Sequence, residues 1–130
     1  MNAHEEQFAR CFIVPQKRAR YLALLESEGG RAKLLNGFNH CPDLDPRFAK
    51  EIPSGEQSAD SIEVLLRRMG APDTCYVMSD NRAIDGKEMS LREALSATVG
   101  MGSGTLISCV AGKLAYFELE AFDGRYILQR

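Results

Sequence analysis

The chain has 130 residues, 45% of them hydrophobic and 26% charged, and a formal net charge of −2. That is enough for one domain with a real core, and it excludes several functions. Neither half carries a basic tail, which argues against broad nucleic-acid binding, and no run of about 18 apolar residues exists to span a membrane. The polar, acidic N-terminus, Met1 to Gln7, does not read as a signal peptide, so a cytoplasmic protein is expected. In that setting Cys11, Cys41, Cys75 and Cys109 are read as free thiols.

The first fourteen residues carry two patterns. Phe8, Cys11 and Phe12 have helical spacing, while Cys11 to Val14 suits a short strand. His4 lies in a terminus expected to be mobile. Pro15 suits a first helical turn, and residues 16–28 are read as a helix with Tyr21, Leu22, Leu24 and Leu25 apolar. Lys17, Arg18 and Arg20 stand near its start and Glu26 and Glu28 near its end, the reverse of what the helix dipole prefers. With Arg31 and Lys33 these are the one local concentration of positive charge, and they suggest a solvated face or an anionic partner. Gly29-Gly30 ends this helix and residues 31–38 form a second.

A loop over 36–42 holds His40-Cys41. Asp45 before Pro46 predicts a capped short helix through Phe48 and Ala49. Over 59–69, Ile62, Leu65, Leu66 and Met69 follow the i, i+3, i+4, i+7 pattern. Ser58 or Asp60 caps its start, and Gly70 and Pro72 close it. Thr74 to Ser79 is a strand, and the polar residues 80–89 are a loop with a short hairpin about Asp85-Gly86. Ser90 to Glu93 is a capping box opening a helix that Gly100 stops.

Thr105 to Arg130 reads as a three-strand meander. A turn at Ala111-Gly112 pairs Leu106 with Phe117, Ile107 with Tyr116, Ser108 with Ala115 and Cys109 with Leu114. Both faces are then apolar, which implies cover on both sides. A type I′ turn at Asp123-Gly124 pairs Ala121 with Tyr126 and Leu119 with Leu128. Alternation leaves Glu118 and Glu120 solvated. The whole is an α+β domain over 1–130, helical over about 1–70 and sheet-rich over about 73–130, with helices on a mostly antiparallel sheet.

No catalytic motif emerges. The glycine-rich run 100–105 stands between a helix and a strand, the wrong order for a nucleotide loop. No spacing of Cys and His suits a closed zinc site, so no metal or cofactor is expected. The densest polar cluster is Ser79, Asp80, Asn81, Arg82, Asp85 and Glu88, in a loop after a core strand, where functional groups gather. With Lys17, Arg18 and Arg20 it forms the candidate binding surface. The expected function is a small binding or regulatory protein acting on a protein partner or small ligand. The alternatives are a small hydrolase built from an Asp/Arg or His/Cys site and an immunity- or antitoxin-like partner. A homodimer through an open C-terminal strand edge is also expected, since such an edge offers unpaired backbone groups.

Overall fold

The computed structural model describes residues 1–120 and 124–130. Among these are five α-helices: α1 (Ala3–Phe12), α2 (Arg18–Leu25), α3 (Glu28–Asn36), α4 (Ala59–Arg68) and α5 (Leu91–Thr98). Six strands, β1 (Ala49–Glu51), β2 (Thr74–Ser79), β3 (Glu88–Ser90), β4 (Thr105–Val110), β5 (Leu114–Glu118) and β6 (Arg125–Gln129), form one sheet. Its order is β1-β6-β5-β4-β2-β3, with every neighbouring pair antiparallel. The fold is α+β, and its last three strands are the expected meander. No helix among the described residues is long and apolar enough to cross a membrane.

Helices cover both faces of the sheet. On one side Phe8, Phe12, Tyr21, Leu25, Leu34 and Phe38 meet Tyr76, Met78, Leu106, Ala115, Phe117 and Leu128. On the other, Ile62, Leu66, Leu91 and Leu95 meet Val77, Ile107, Leu114, Tyr116 and Ile127. This double cover is why the central strands are apolar at successive positions rather than alternating.

Local signals place most helices. Asn2 Oδ1 accepts from His4 N at 2.7 Å and opens α1, so His4 sits in an ordered helix rather than a mobile terminus. Ser58 and Ser90 cap α4 and α5 through their hydroxyls at 3.1 Å. The helix expected over 16–28 ends at Leu25, and the break before the next helix falls at Glu26-Ser27 rather than at Gly29-Gly30. Ser27 caps α3, which places Glu28 in a first turn and Gly30 inside a helix. Glu28 thus belongs to the next helix, where the dipole favours it, while Lys17, Arg18 and Arg20 still stand at the start of α2 and Glu26 at its end. Gly30 permits the tight α2–α3 approach: a Cβ there would overlap Leu24 O.

Four expectations about the sheet fail. The residues after Pro46 make a turn and then β1, not a helix, because Ala49 to Glu51 pair with β6. That pairing covers β6, so the sheet's edges are β1 and β3 and not the C-terminal strand. In the β5–β6 hairpin Leu128 faces Ala115, not Leu119, and Tyr126 faces Phe117. The slip is an even number of residues, so the faces are kept; the expected turn at Asp123 and the partner Ala121 lie outside the described residues. The β4–β5 pairs match expectation through Ser108↔Ala115, after which an irregularity brings Val110, rather than Cys109, opposite Leu114.

The turn around Asn39 lies directly on Gly104, where a Cβ would overlap the Asn39 backbone nitrogen. Gly104→Ala is therefore expected to lower stability by roughly 1–3 kcal/mol, as overpacking does, read from the midpoint of urea unfolding. Gly29→Ala, in open space on the same helix as Gly30, serves as the neutral control.

Candidate functional site

Arg31, on α3, organises the polar side of the molecule. Its Nε and Nη2 donate to the Glu5 carboxylate of α1 at 2.9–3.1 Å, and its Nη1 and Nη2 donate to Asp85 at 2.7 Å each. Four of the five guanidinium N–H groups are thus committed to carboxylates. Glu5 is 4% exposed and also accepts the Tyr76 hydroxyl proton. Asp85 accepts in addition from Ser79 N at 3.0 Å. Burial pushes the Asp85 carboxyl up, but the Arg31 guanidinium and the Ser79 and Gly86 amides outweigh it and hold it below its usual range.

This clamp fixes the loop after β2 against α3 and leaves a shallow cleft between them, about 340 Å³ in volume. Glu28, Arg31 and Leu35 form one wall, and Asp80, Arg82 and Asp85 the other. The loop is shaped by its own side chains: Ser79 Oγ accepts from Asn81 N at 2.9 Å, and Asn81 Oδ1 from Ala83 N at 3.0 Å. Asp80 and Arg82 are exposed at the rim, and no hydrogen bond or ion pair reaches their side chains from the described residues.

Of the residues singled out in the sequence, the cleft gathers Ser79, Asp80, Arg82 and Asp85, with Asn81 as a brace. Ser79 is 1% exposed and bonded to Thr105 Oγ1 at 2.7 Å, so it braces the base of the loop. Glu88 lies apart on β3, opposite Tyr76. The basic group is dispersed. Arg18 turns inward, donating to Ile13 O at 2.8 Å and standing 3.6 Å from Asp45. Lys17 is exposed, and Arg20 joins Lys33 at a separate hollow of about 200 Å³. His40 stands 3.2 Å from Glu120, away from the cleft, so His40, Arg82 and Asp85 do not converge. Cys41 is buried beneath Tyr21.

Sequence reasoning missed a second polar centre. Glu118 is 1% exposed, not solvated. Its carboxylate accepts from Gly100 N and Gly102 N at 3.1 Å each and from the Tyr116 hydroxyl at 2.7 Å, with Arg125 Nε at 3.6 Å. The glycine-rich connection does form an anion-binding curl of backbone amides, with φ of +84° at Gly100 and +72° at Gly102. It is filled by the protein's own carboxylate. The sequence carried the glycines, but nothing in it linked them to Glu118. His4 was similarly undervalued: its Nδ1 lies 2.7 Å from Ser108 Oγ and its ring stacks on Tyr76. Burial lowers its pKa despite the opposing charge of Glu88. Ser108 is 3% exposed, so this pair is structural. Among the described residues no group of three or more His, Cys, Asp or Glu side chains could hold a metal ion.

Arg31→Met is expected to destabilise by roughly 3–5 kcal/mol, because Glu5 would be left buried without its counter-ion; Arg31→Lys, which lacks the planar fork, should recover only a small part. Asp85 contributes stability that is present above the usual carboxylate range and lost as pH falls through its depressed folded value. Asp85→Asn should flatten this part of the acid limb, measured by urea midpoints at neutral and acid pH. Glu118→Ala strands two amides and a hydroxyl and is expected to cost at least about 2 kcal/mol in the same measurement.

Compared with protein-family models, curated proteins and solved structures, the chain matches none.

Proposed function

We propose that this chain is a binding module that engages a partner at the cleft between α3 and the loop over 80–86. The observation that carries the reading is the Arg31 clamp, which commits four guanidinium N–H groups to Glu5 and Asp85. A loop held this firmly presents the exposed Asp80 and Arg82 at a fixed separation, and fixed charges beside a hollow are a recognition device.

The chemistry of the other groups favours binding over catalysis. Burial raises the Cys41 thiol and pushes Cys75 and Cys109 up to about 12, so these three are thiols and not thiolates near neutral pH. His40 is engaged with Glu120. A hydrolase built on His40 with a cysteine, or on Asp85 with Arg82, would lack an activated nucleophile beside its base. Self-association through the β1 edge is disfavoured, because β1 has three residues, bears Lys50 and Glu51, and is followed by Pro53.

The test is a paired affinity capture with the wild-type chain and an Asp80→Ala/Arg82→Ala double variant. Both side chains are exposed, so the variant should keep its Tm within about 2 °C, as surface changes do. A partner retained by the wild type and lost at least tenfold by the variant supports the cleft, and equal recovery by both overturns it.

A further inference from the structure

Cys75 and Cys109 stand on neighbouring strands, and their side chains share the apolar layer beneath α4 and α5. The β2–β4 register runs Ser79↔Thr105, Met78↔Leu106, Val77↔Ile107, Tyr76↔Ser108. Carried one residue further, the same register would set Cys75 opposite Cys109. The bond from Asp80 N to Gly104 O sets the phase of this ladder. It makes 80/104, 78/106 and 76/108 the hydrogen-bonded rungs and 79/105 and 77/107 the others, a set that 75/109 would continue. At those others opposed Cα atoms approach to about 4.5 Å, within the roughly 4.4–6.8 Å that a disulfide spans.

A rung of the same kind shows how close the γ atoms come: Ser79 Oγ and Thr105 Oγ1 are 2.7 Å apart. The irregularity between Ser108 and Val110 lies on the β5 side of β4, and Cys109 remains in the layer that holds Cys75. Neither sulfur has a firm partner. Cys75 Sγ is 3.5 Å from Met89 O, and Cys109 Sγ is 3.9 Å from Ile107 O. Rotation about χ1 therefore sacrifices little.

We propose that Cys75 and Cys109 form a dithiol site that takes an intramolecular disulfide, tying β2 to β4, in exchange with a small-molecule disulfide such as oxidised glutathione. In the locally opened state, where water relieves the burial that keeps both groups as thiols, one cysteine ionises, and its thiolate attacks a glutathione sulfur and expels a glutathione thiolate. The second cysteine thiolate attacks the resulting mixed disulfide at the first cysteine's sulfur and expels the other. The two cysteines lose their protons and two electrons to become one disulfide, and the glutathione disulfide is reduced to two thiols. Access comes by local opening of β3, the three-residue edge strand paired with Cys75.

The full chain, incubated in glutathione buffers of graded redox ratio and quenched with an alkylating agent, is read by intact mass and peptide mapping. The expected product carries two alkyl groups where the reduced chain carries four, and with those subtracted it is lighter by about 2 Da, the loss of two hydrogens. It carries a linked Cys75–Cys109 peptide, with Cys11 and Cys41 alkylated. Its Tm should exceed that of the reduced chain by roughly 5–10 °C and fall back with dithiothreitol. Repeating the incubation in sub-denaturing urea ensures that slow opening is not mistaken for inertness. Four alkylated thiols under both conditions, a stable glutathione adduct on one cysteine, or a linkage through Cys11 or Cys41 overturns the proposal. Cys75→Val and Cys109→Ala, which keep the layer apolar, must each abolish the mass loss; its persistence in either also overturns it.

Discussion

Helices on both faces leave the polar side chains of the central strands no solvated side, and this constraint shapes the rest of the molecule. Polar groups that cannot face water must face each other. They do so along one row across four strands, in which Ser79 opposes Thr105, Thr105 opposes Glu118, and Glu118 opposes Arg125. The row closes at both ends. Ser79 and Thr105 share a hydrogen bond, and Arg125 donates to Gln57 O and Oε1 at 3.2 Å each. The amides of Gly100 and Gly102 roof it over Glu118. The glycines after α5 are therefore needed for their positive φ and for the curl of N–H groups it produces.

The opposite face handles the charged cluster at Glu5 differently. Glu5 faces inward from α1, where an unpaired carboxylate would be costly. Arg31 reaches it bidentately and uses its remaining fork on Asp85, so three separate stretches of chain are joined through one planar group. Tyr76 completes the Glu5 shell from the sheet. The same geometry that stabilises α1 also holds the 80–86 loop in place. Structure and candidate function therefore depend on one side chain, and the rim residues Asp80 and Arg82 are left outside it.

The basic residues show how far local reasoning carries. Lys17, Arg18, Arg20, Arg31 and Lys33 look like one positive patch because they are close in sequence. In the fold Arg18 serves Asp45, Arg31 serves Glu5 and Asp85, and Arg20 and Lys33 share a hollow. Sequence proximity said nothing about which of these charges would be neutralised. The loop over 79–88 was more legible, because Ser79 and Asn81 shape it by accepting from backbone amides two residues on, and those bonds are local.

What this sequence determined by itself is what a few neighbouring residues can decide. The apolar periodicity of α4, the serine caps of α4 and α5 and the register at the start of the β4–β5 hairpin all follow from short-range geometry. Tertiary structure alone decided the rest. Arg31 finds carboxylates 26 and 54 positions away, and Glu118 finds amides 16 and 18 positions away. The pairing of β1 with β6 turned an expected helix into a strand and an expected edge into an interior. A charge or an open strand edge settles on whichever complementary group the packing delivers. That delivery depends on distant segments of the chain meeting, which no local pattern records.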